Sequence, residues 1–256
     1  METSITGITS GQVRDWLARV LPHVGEDDTL PMLMRVQVTV GDGYLLAAAT
    51  DRFTLAVAHL PANTGAARAR FTIDGQWARE MAAELDDHRR ADVRAVLALG
   101  GATFSIDLPD FHDEDFEPYF DGEWNATAIG PVTEFIKWEG LVRPLLTEPR
   151  DPTPVHVRAD LLARFTTPGA LSLNPAAPTV LAAISPGPGM PPLVVHSPGR
   201  DRPLVLLGPG FLGLLAVLRT RAERPVAATP DIDPDAWHAA WAALLDGQRA
   251  PAPVPA

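Results

Sequence analysis

Cysteine is absent from the 256-residue chain. Its absence removes disulfides, thiolate metal sites and cysteine nucleophiles together. Lysine is nearly absent too: of 21 basic side chains, only Lys137 is a lysine. Against them stand 32 acidic groups, which leaves a net charge of −11. Proteins that grip phosphates directly carry a basic surface, so this balance argues against an ordinary nucleic-acid binder. Long apolar runs are also missing. The longest, Leu204 to Leu218, is broken by Gly208, Pro209, Gly210 and Gly213, and falls short of the about 18 residues a membrane helix needs. The opening METSITGITSGQ lacks the basic and apolar regions of a secretory leader. The expectation is a cytoplasmic protein with no membrane partner.

Signatures of catalysis are equally scarce. His23, His59, His88, His112, His156, His196 and His238 stand apart, with no H-x-x-x-H or H-x-H pair. The Gly-rich stretches 187–190 and 208–213 lack the Lys-Ser/Thr of a phosphate loop, and no Gly-x-Ser-x-Gly elbow occurs. The cluster His112, Asp113, Glu114 and Asp115 lacks the periodic ligands and glycine of a calcium loop, so it reads as a solvated acidic loop. No catalytic residue, metal or cofactor is expected, and the chain is not read as an enzyme.

What is present is core material and pattern. Hydrophobic residues make up 46% of the chain. Thr9 and Gln12 form a Thr-x-x-Gln capping box, and Val13, Trp16, Leu17, Val20 and Leu21 then mark one helical face. Val36, Val38 and Val40 alternate with Arg35, Gln37 and Thr39, which predicts a half-buried strand over Met34 to Val40. Gly41-Asp42-Gly43 supplies a hairpin turn, and Tyr44 to Thr50 and Phe53 to Leu60 follow as strands. A short strand at Phe71 to Ile73 leads to Asp74, which caps a second helix with Trp77, Met81 and Leu85 on one face. Val93 to Leu99 and Thr103 to Leu108 make a further hairpin. Two similar halves, each with one helix, predict two helices packed on antiparallel sheet, an α+β fold.

Beyond about Ala126, proline becomes frequent and regular structure thins. Val155 to Arg158 reads as a strand, Leu161, Leu162 and Phe165 as one face of a helix, and Val180 to Ile184, Leu193 to His196, Leu204 to Leu207 and Phe211 to Arg219 as strands. A last helix, opened by Asp233-Pro234, carries Trp237, Trp241, Leu244 and Leu245, and APAPVPA closes the chain. The Trp237 and Trp241 pair is read as packing back on its own body, because two exposed indoles make a sticky patch.

The run from Gly25 to Val57, GEDDTLPMLMRVQVTVGDGYLLAAATDRFTLAV, resembles the middle domain of the bacterial DNA polymerase III beta subunit, the DNA sliding clamp. In that family an acidic-Thr-x-Pro-x-Leu segment opens a strand, and a hairpin leads to Ala-Thr-Asp-x-x-x-Leu-Ala-Val. Here that motif is Ala49-Thr50-Asp51-Arg52-Phe53-Thr54-Leu55-Ala56-Val57. A weaker likeness links Phe211 to Arg219 to the closing strand of the family's last domain.

The resemblance implies a DNA-clamp fold: a clamp-like domain over 1–124, a partial and divergent one over 125–225, and a C-terminal helix and tail over 226–256. It implies a replication or repair processivity role, with DNA polymerase or other clamp-binding peptides as partners. An extended peptide would insert apolar side chains between walls formed by Leu33, Thr50, Arg52, Phe53, Thr54 and Leu55, with Leu214 and Leu218 opposite. Clamps of this family carry three domains per chain and close six-domain rings around duplex DNA. This chain has room for two, so three copies, a homotrimer, would be needed. In a ring, Arg14, Arg19, Arg79, Arg89 and Arg90 would lie on or beside the DNA-facing helices, yet Asp15, Glu80, Glu84, Asp86 and Asp87 interleave with them and nearly cancel the local field. The pocket motif also carries Thr54 where the family has a basic residue. These departures keep a second reading open: an accessory interaction protein that forms no ring and binds, or competes with, a true clamp or its partners.

Overall fold

The computed structural model describes residues 3–85, 94–100, 103–107, 123–127, 135–149, 159–165, 183–184, 193–198, 202–208, 210–216, 239, 241–243 and 245. They belong to two units: Met1–Asp51 with Val57–Phe135, and Arg52–Ala56 with Ile136–Ala256.

In the first unit β1 (Thr3–Thr9) runs directly into α1 (Ser10–Ala18). The capping box is present as expected. Gln12 N donates to Thr9 Oγ1 and Thr9 N donates to Gln12 Oε1, so two orphan donors of the first turn are satisfied reciprocally. Val13, Trp16 and Leu17 are buried. A 3₁₀ turn at Pro31–Met34 precedes β2 (Arg35–Gly41), which pairs with β3 (Tyr44–Thr50) through Gln37↔Ala48 to Gly41↔Tyr44. Gly43 takes φ +78° in this turn, a conformation a side chain resists. β4 (Thr54–Pro61) and β5 (Ala69–Asp74) follow, and Asp74 caps α2 (Gly75–Glu84) by accepting from the Gln76 and Trp77 amides. β6 (Arg94–Gly100), β7 (Thr103–Asp107) and β8 (Glu123–Thr127) complete the unit.

Two antiparallel layers result, ordered β1-β6-β7-β8 and β5-β2-β3-β4. Thr6 and Asn63 exchange both backbone hydrogen bonds, at 3.0 and 2.7 Å, and tie β1 to the chain just after β4. The helices α1 and α2 pack on each other. Leu17 of α1 and Met81 of α2 are buried with Ile5, Val36, Leu45, Val57 and Ile73 in the core.

The alternation read in β2 needs one correction. Gln37, expected on the solvent side with Arg35 and Thr39, is buried. β2 lies between β3 and β5, and Arg35 reaches across this face to donate to Thr72 Oγ1, the residue registered opposite Gln37.

The second unit contains α3 (Trp138–Thr147) and α4 (Ala159–Ala163), then β9 (Ala183–Ile184), β10 (Leu193–His196), β11 (Leu204–Gly208) and β12 (Phe211–Leu215). The strand order is β9-β10-β11-β12, and next to β12 comes the start of β4, which belongs to this unit. Here the loop-rich expectation fails for α3. Pro144 sits inside the helix, where it removes a ladder donor and costs about 3 kcal/mol. Trp138, Val142, Leu145 and Leu146 nevertheless repeat at i, i+4, i+7 and i+8, and all are buried. Fully burying side chains of this size is worth about 1.5–3 kcal/mol each, so packing outweighs the proline.

Leu161, Leu162 and Phe165 are buried as the sequence predicts. Trp241 is buried and donates from Nε1 to the Gly208 carbonyl oxygen, while Arg143 Nη2 donates to the Leu245 carbonyl. The C-terminal segment thus packs back on its own unit. The expected strand at Val155 to Arg158, the acidic loop at 110–121, and Trp237 and Leu244 lie outside the described residues.

Candidate functional site

Among the described residues, the segment between β3 and β4 carries the one non-glycine left-handed backbone conformation. β3 ends in Thr50, which is buried; Asp51 is half-buried, and Arg52 and Phe53 turn outward before β4 begins. Arg52 takes φ +83° and is the one non-glycine residue with positive φ among the described residues. Its Cβ makes that conformation cost on the order of 1–2 kcal/mol. Phe53 is 49% exposed, while Thr54 and Leu55 immediately after it are buried to 2% and 5%. The Ala216 amide, just past β12, donates to the Phe53 carbonyl oxygen at 2.8 Å. A left-handed kink on one side and a backbone tether on the other therefore hold the phenyl ring outward. Leu214 lies on β12, two residues before the tether, and is buried opposite Val205 of β11.

Of the expected pocket residues, the structure gathers Arg52, Phe53, Thr54, Leu55 and Leu214 into the second unit. Leu33 and Thr50 belong to the first, where both are buried. Leu33 is fixed in its 3₁₀ turn, and its carbonyl accepts from the Gly25 amide at 2.8 Å. Leu218 lies outside the described residues. Nothing in the sequence marks Ala216 as a site residue, although it sits inside the run Phe211 to Arg219. An alanine signals nothing by its side chain, and its contribution here is a backbone donor.

The arginines expected to face DNA differ among themselves. Arg14 makes a two-pronged contact to Asp15 Oδ1, at 2.9 Å from Nε and 2.8 Å from Nη2, so its charge is met by its neighbour. Arg19, on the C-terminal side of α1, is half-buried, and burial lowers its pKa against the opposing pull of Asp15. Arg79 is half-buried on α2. Arg89 and Arg90 lie outside the described residues. Among the described residues, no group of three His, Asp or Glu side chains is placed to hold a metal ion, and no helix is long and apolar enough to cross a membrane.

Two helices on antiparallel layers, with the closing strand of a second unit beside the start of β4, define the DNA sliding-clamp fold, and this chain has it. The Pseudomonas aeruginosa sliding clamp, DNA polymerase III subunit beta, solved bound to griselimycin, superposes with TM-score 0.57 at 14% identity, covering 86% of this chain and 66% of that one. The Bacillus subtilis sliding clamp gives 0.56 at 13%, and the Thermotoga maritima DNA polymerase III beta subunit gives 0.55 at 13%, each covering 86% of this chain and 65% of its own. The chain thus spans about two thirds of the length of these clamps. At such identities the likeness is one of fold. No protein-family model matches the sequence, and no curated protein matches it either.

Proposed function

We propose that this protein is a reduced sliding-clamp-like component of DNA replication or repair, which captures short peptides of DNA polymerases or other clamp-binding proteins at the turn from Arg52 to Leu55. The observation that carries this reading is the coincidence of motif and geometry. The stretch resembling the clamp motif, Ala49 to Val57, contains the outward Phe53, and the Ala216 amide, just past β12, tethers that turn. An exposed aromatic ring beside a strand is a suitable anchor for the apolar side chain of an extended peptide. On this reading the protein is not an enzyme, and encircling duplex DNA is a further role that depends on assembly.

A second reading has its own support. The chain carries a net charge of −11, and Arg14 on α1 is already paired with Asp15. Both features disfavour a DNA-lined bore and favour an accessory protein that keeps the fold without forming a ring.

Solution mass by light scattering across a concentration range separates the two. A mass near three times 27.4 kDa supports a six-domain ring and makes DNA tethering the working mechanism. A strict monomer at all concentrations rules the ring out and leaves peptide capture as the activity to measure.

A further inference from the structure

We infer that the C-terminal helical segment around Trp241 is an exchangeable ligand of its own unit, and that its seat accepts the same segment from a second copy of this chain. The inference is independent of the peptide-capture reading. Ala239, Trp241, Ala242, Ala243 and Leu245 are helical, and among them Trp241 alone is buried, at 3% exposure. Ala239 is exposed, and Ala242, Ala243 and Leu245 are half-buried. Among the described residues the segment is therefore held by a single apolar anchor. Hydrogen bonds accompany it from Trp241 Nε1 to the Gly208 carbonyl oxygen, at 3.4 Å, and from Arg143 Nη2 to the Leu245 carbonyl oxygen, at 2.6 Å. Other elements of the unit build the seat. Gly208 ends β11 and is registered opposite Phe211 of β12, and Arg143 lies on α3.

One enclosed indole with its N–H on a backbone carbonyl is how a docked helix is anchored at an interface. A helix that belongs to the core is held differently: α3 buries Trp138, Val142, Leu145 and Leu146 together. The occupant of the seat is fixed by the structure, because this segment lies in it. Residues 217–238 join the segment to the chain after β12, and include Pro225, Pro230 and Pro234. A stretch of that length spans at most about 70 Å, which reaches a neighbouring molecule. A segment exchanged between two copies makes the same contacts in its new unit, so exchange sacrifices none of them. Tethering gives the chain's own segment an effective concentration on the order of 1 mM. Each copy therefore fills its own seat in dilute solution, and exchange sets in as the protein approaches that concentration. This is a route of self-association that needs no closed ring.

The test uses the full chain with a site-specific protease sequence inserted after Ala228, cut only after folding. The probe is a labelled peptide of residues 231–249, followed by fluorescence anisotropy. The cut chain should bind it at least about tenfold more tightly than the uncut chain, whose tethered segment competes. The same peptide carrying Trp241→Ala should bind neither. Trp241→Ala in the uncut full chain should also open the seat to the unaltered peptide, and a thermal melt establishes that this variant is folded. Light scattering on the uncut parent from about 10 μM to about 1 mM should show the mass rising from 27.4 kDa towards twice that value. Trp241→Ala should abolish the rise. No binding by the cut chain, or equal binding by cut and uncut chains, overturns the inference. A mass that stays at 27.4 kDa, or a rise that Trp241→Ala leaves unchanged, overturns exchange between copies. All of these outcomes leave the reading of the Arg52 to Leu55 turn where it stands.

Discussion

The indole Nε1 of Trp16 donates to the carbonyl oxygen of Ala58 at 3.0 Å, and both residues are buried. This single bond fastens α1 to the backbone of β4, in the half of that strand that belongs to the first unit. A buried indole N–H needs a partner, and here the partner fixes which way the helix sits on the sheet.

Trp16→Phe keeps most of the apolar surface but removes the donor. The expected loss is about 1–3 kcal/mol in chemical denaturation, since a buried acceptor loses its partner. Trp16→Ala adds a cavity and should cost about 3–5 kcal/mol. Equal stability of Trp16→Phe and the parent would show that the bond contributes nothing.

In the second unit, Gly213 on β12 faces the ring of Phe165. A Cβ added there would lie 2.4 Å from Phe165 Cε1 and 3.2 Å from Phe211 Cε1. The two rings already meet edge to face, with centroids 6.2 Å apart at 78°. Gly213→Ala should therefore destabilise by about 1–3 kcal/mol through overpacking. Adding Phe165→Leu should cost less in that background than in the parent, and a double-mutant cycle reads the difference. Strict additivity would contradict the close contact.

Arg52 gives a prediction of opposite sign. Arg52→Gly relieves the left-handed strain at φ +83°. Glycine also loses more entropy on folding, so the expected net gain is about 0.5–1 kcal/mol. A melting temperature equal to or below the parent's would contradict the strain assigned to Arg52.

His59, on β4, packs against Tyr44 with ring centroids 5.5 Å apart, and burial lowers its pKa from 6.5 to about 4. The unfolded chain binds this proton first as pH falls. Stability from this group is therefore full above about pH 6.5 and declines as pH drops towards 4. Over that window the loss approaches roughly 3 kcal/mol. Carboxylates titrate in the same range, so the readout is the difference between the parent and His59→Gln in melting temperature from pH 7 to pH 4. Parallel curves would refute the assignment.

Local signals are legible in the sequence where neighbours a few residues apart decide the outcome. Thr9 and Gln12 specify the start of α1 because each bonds the other's backbone. Asp42-Gly43 specifies the hairpin because glycine accepts positive φ. Asp74 specifies the start of α2 through its own side chain. Even the motif Ala49 to Val57 was legible, as a likeness of order and spacing.

Burial and ladder partners were not, because distant parts of the chain decide them. Gln37 looked like a solvent residue by alternation, yet β2 is a central strand and Arg35 reaches over that face. Pro144 concealed α3, since local propensity opposes the helix that packing of Trp138, Val142, Leu145 and Leu146 enforces. The sequence by itself determined where helices and turns begin and which motif the chain carries. Only the tertiary structure decided that Phe53 turns outward while Thr54 and Leu55 are buried. That outcome depends on the Ala216 amide arriving at the Phe53 carbonyl, and a hydrogen bond between segments so far apart in sequence leaves no local trace in either.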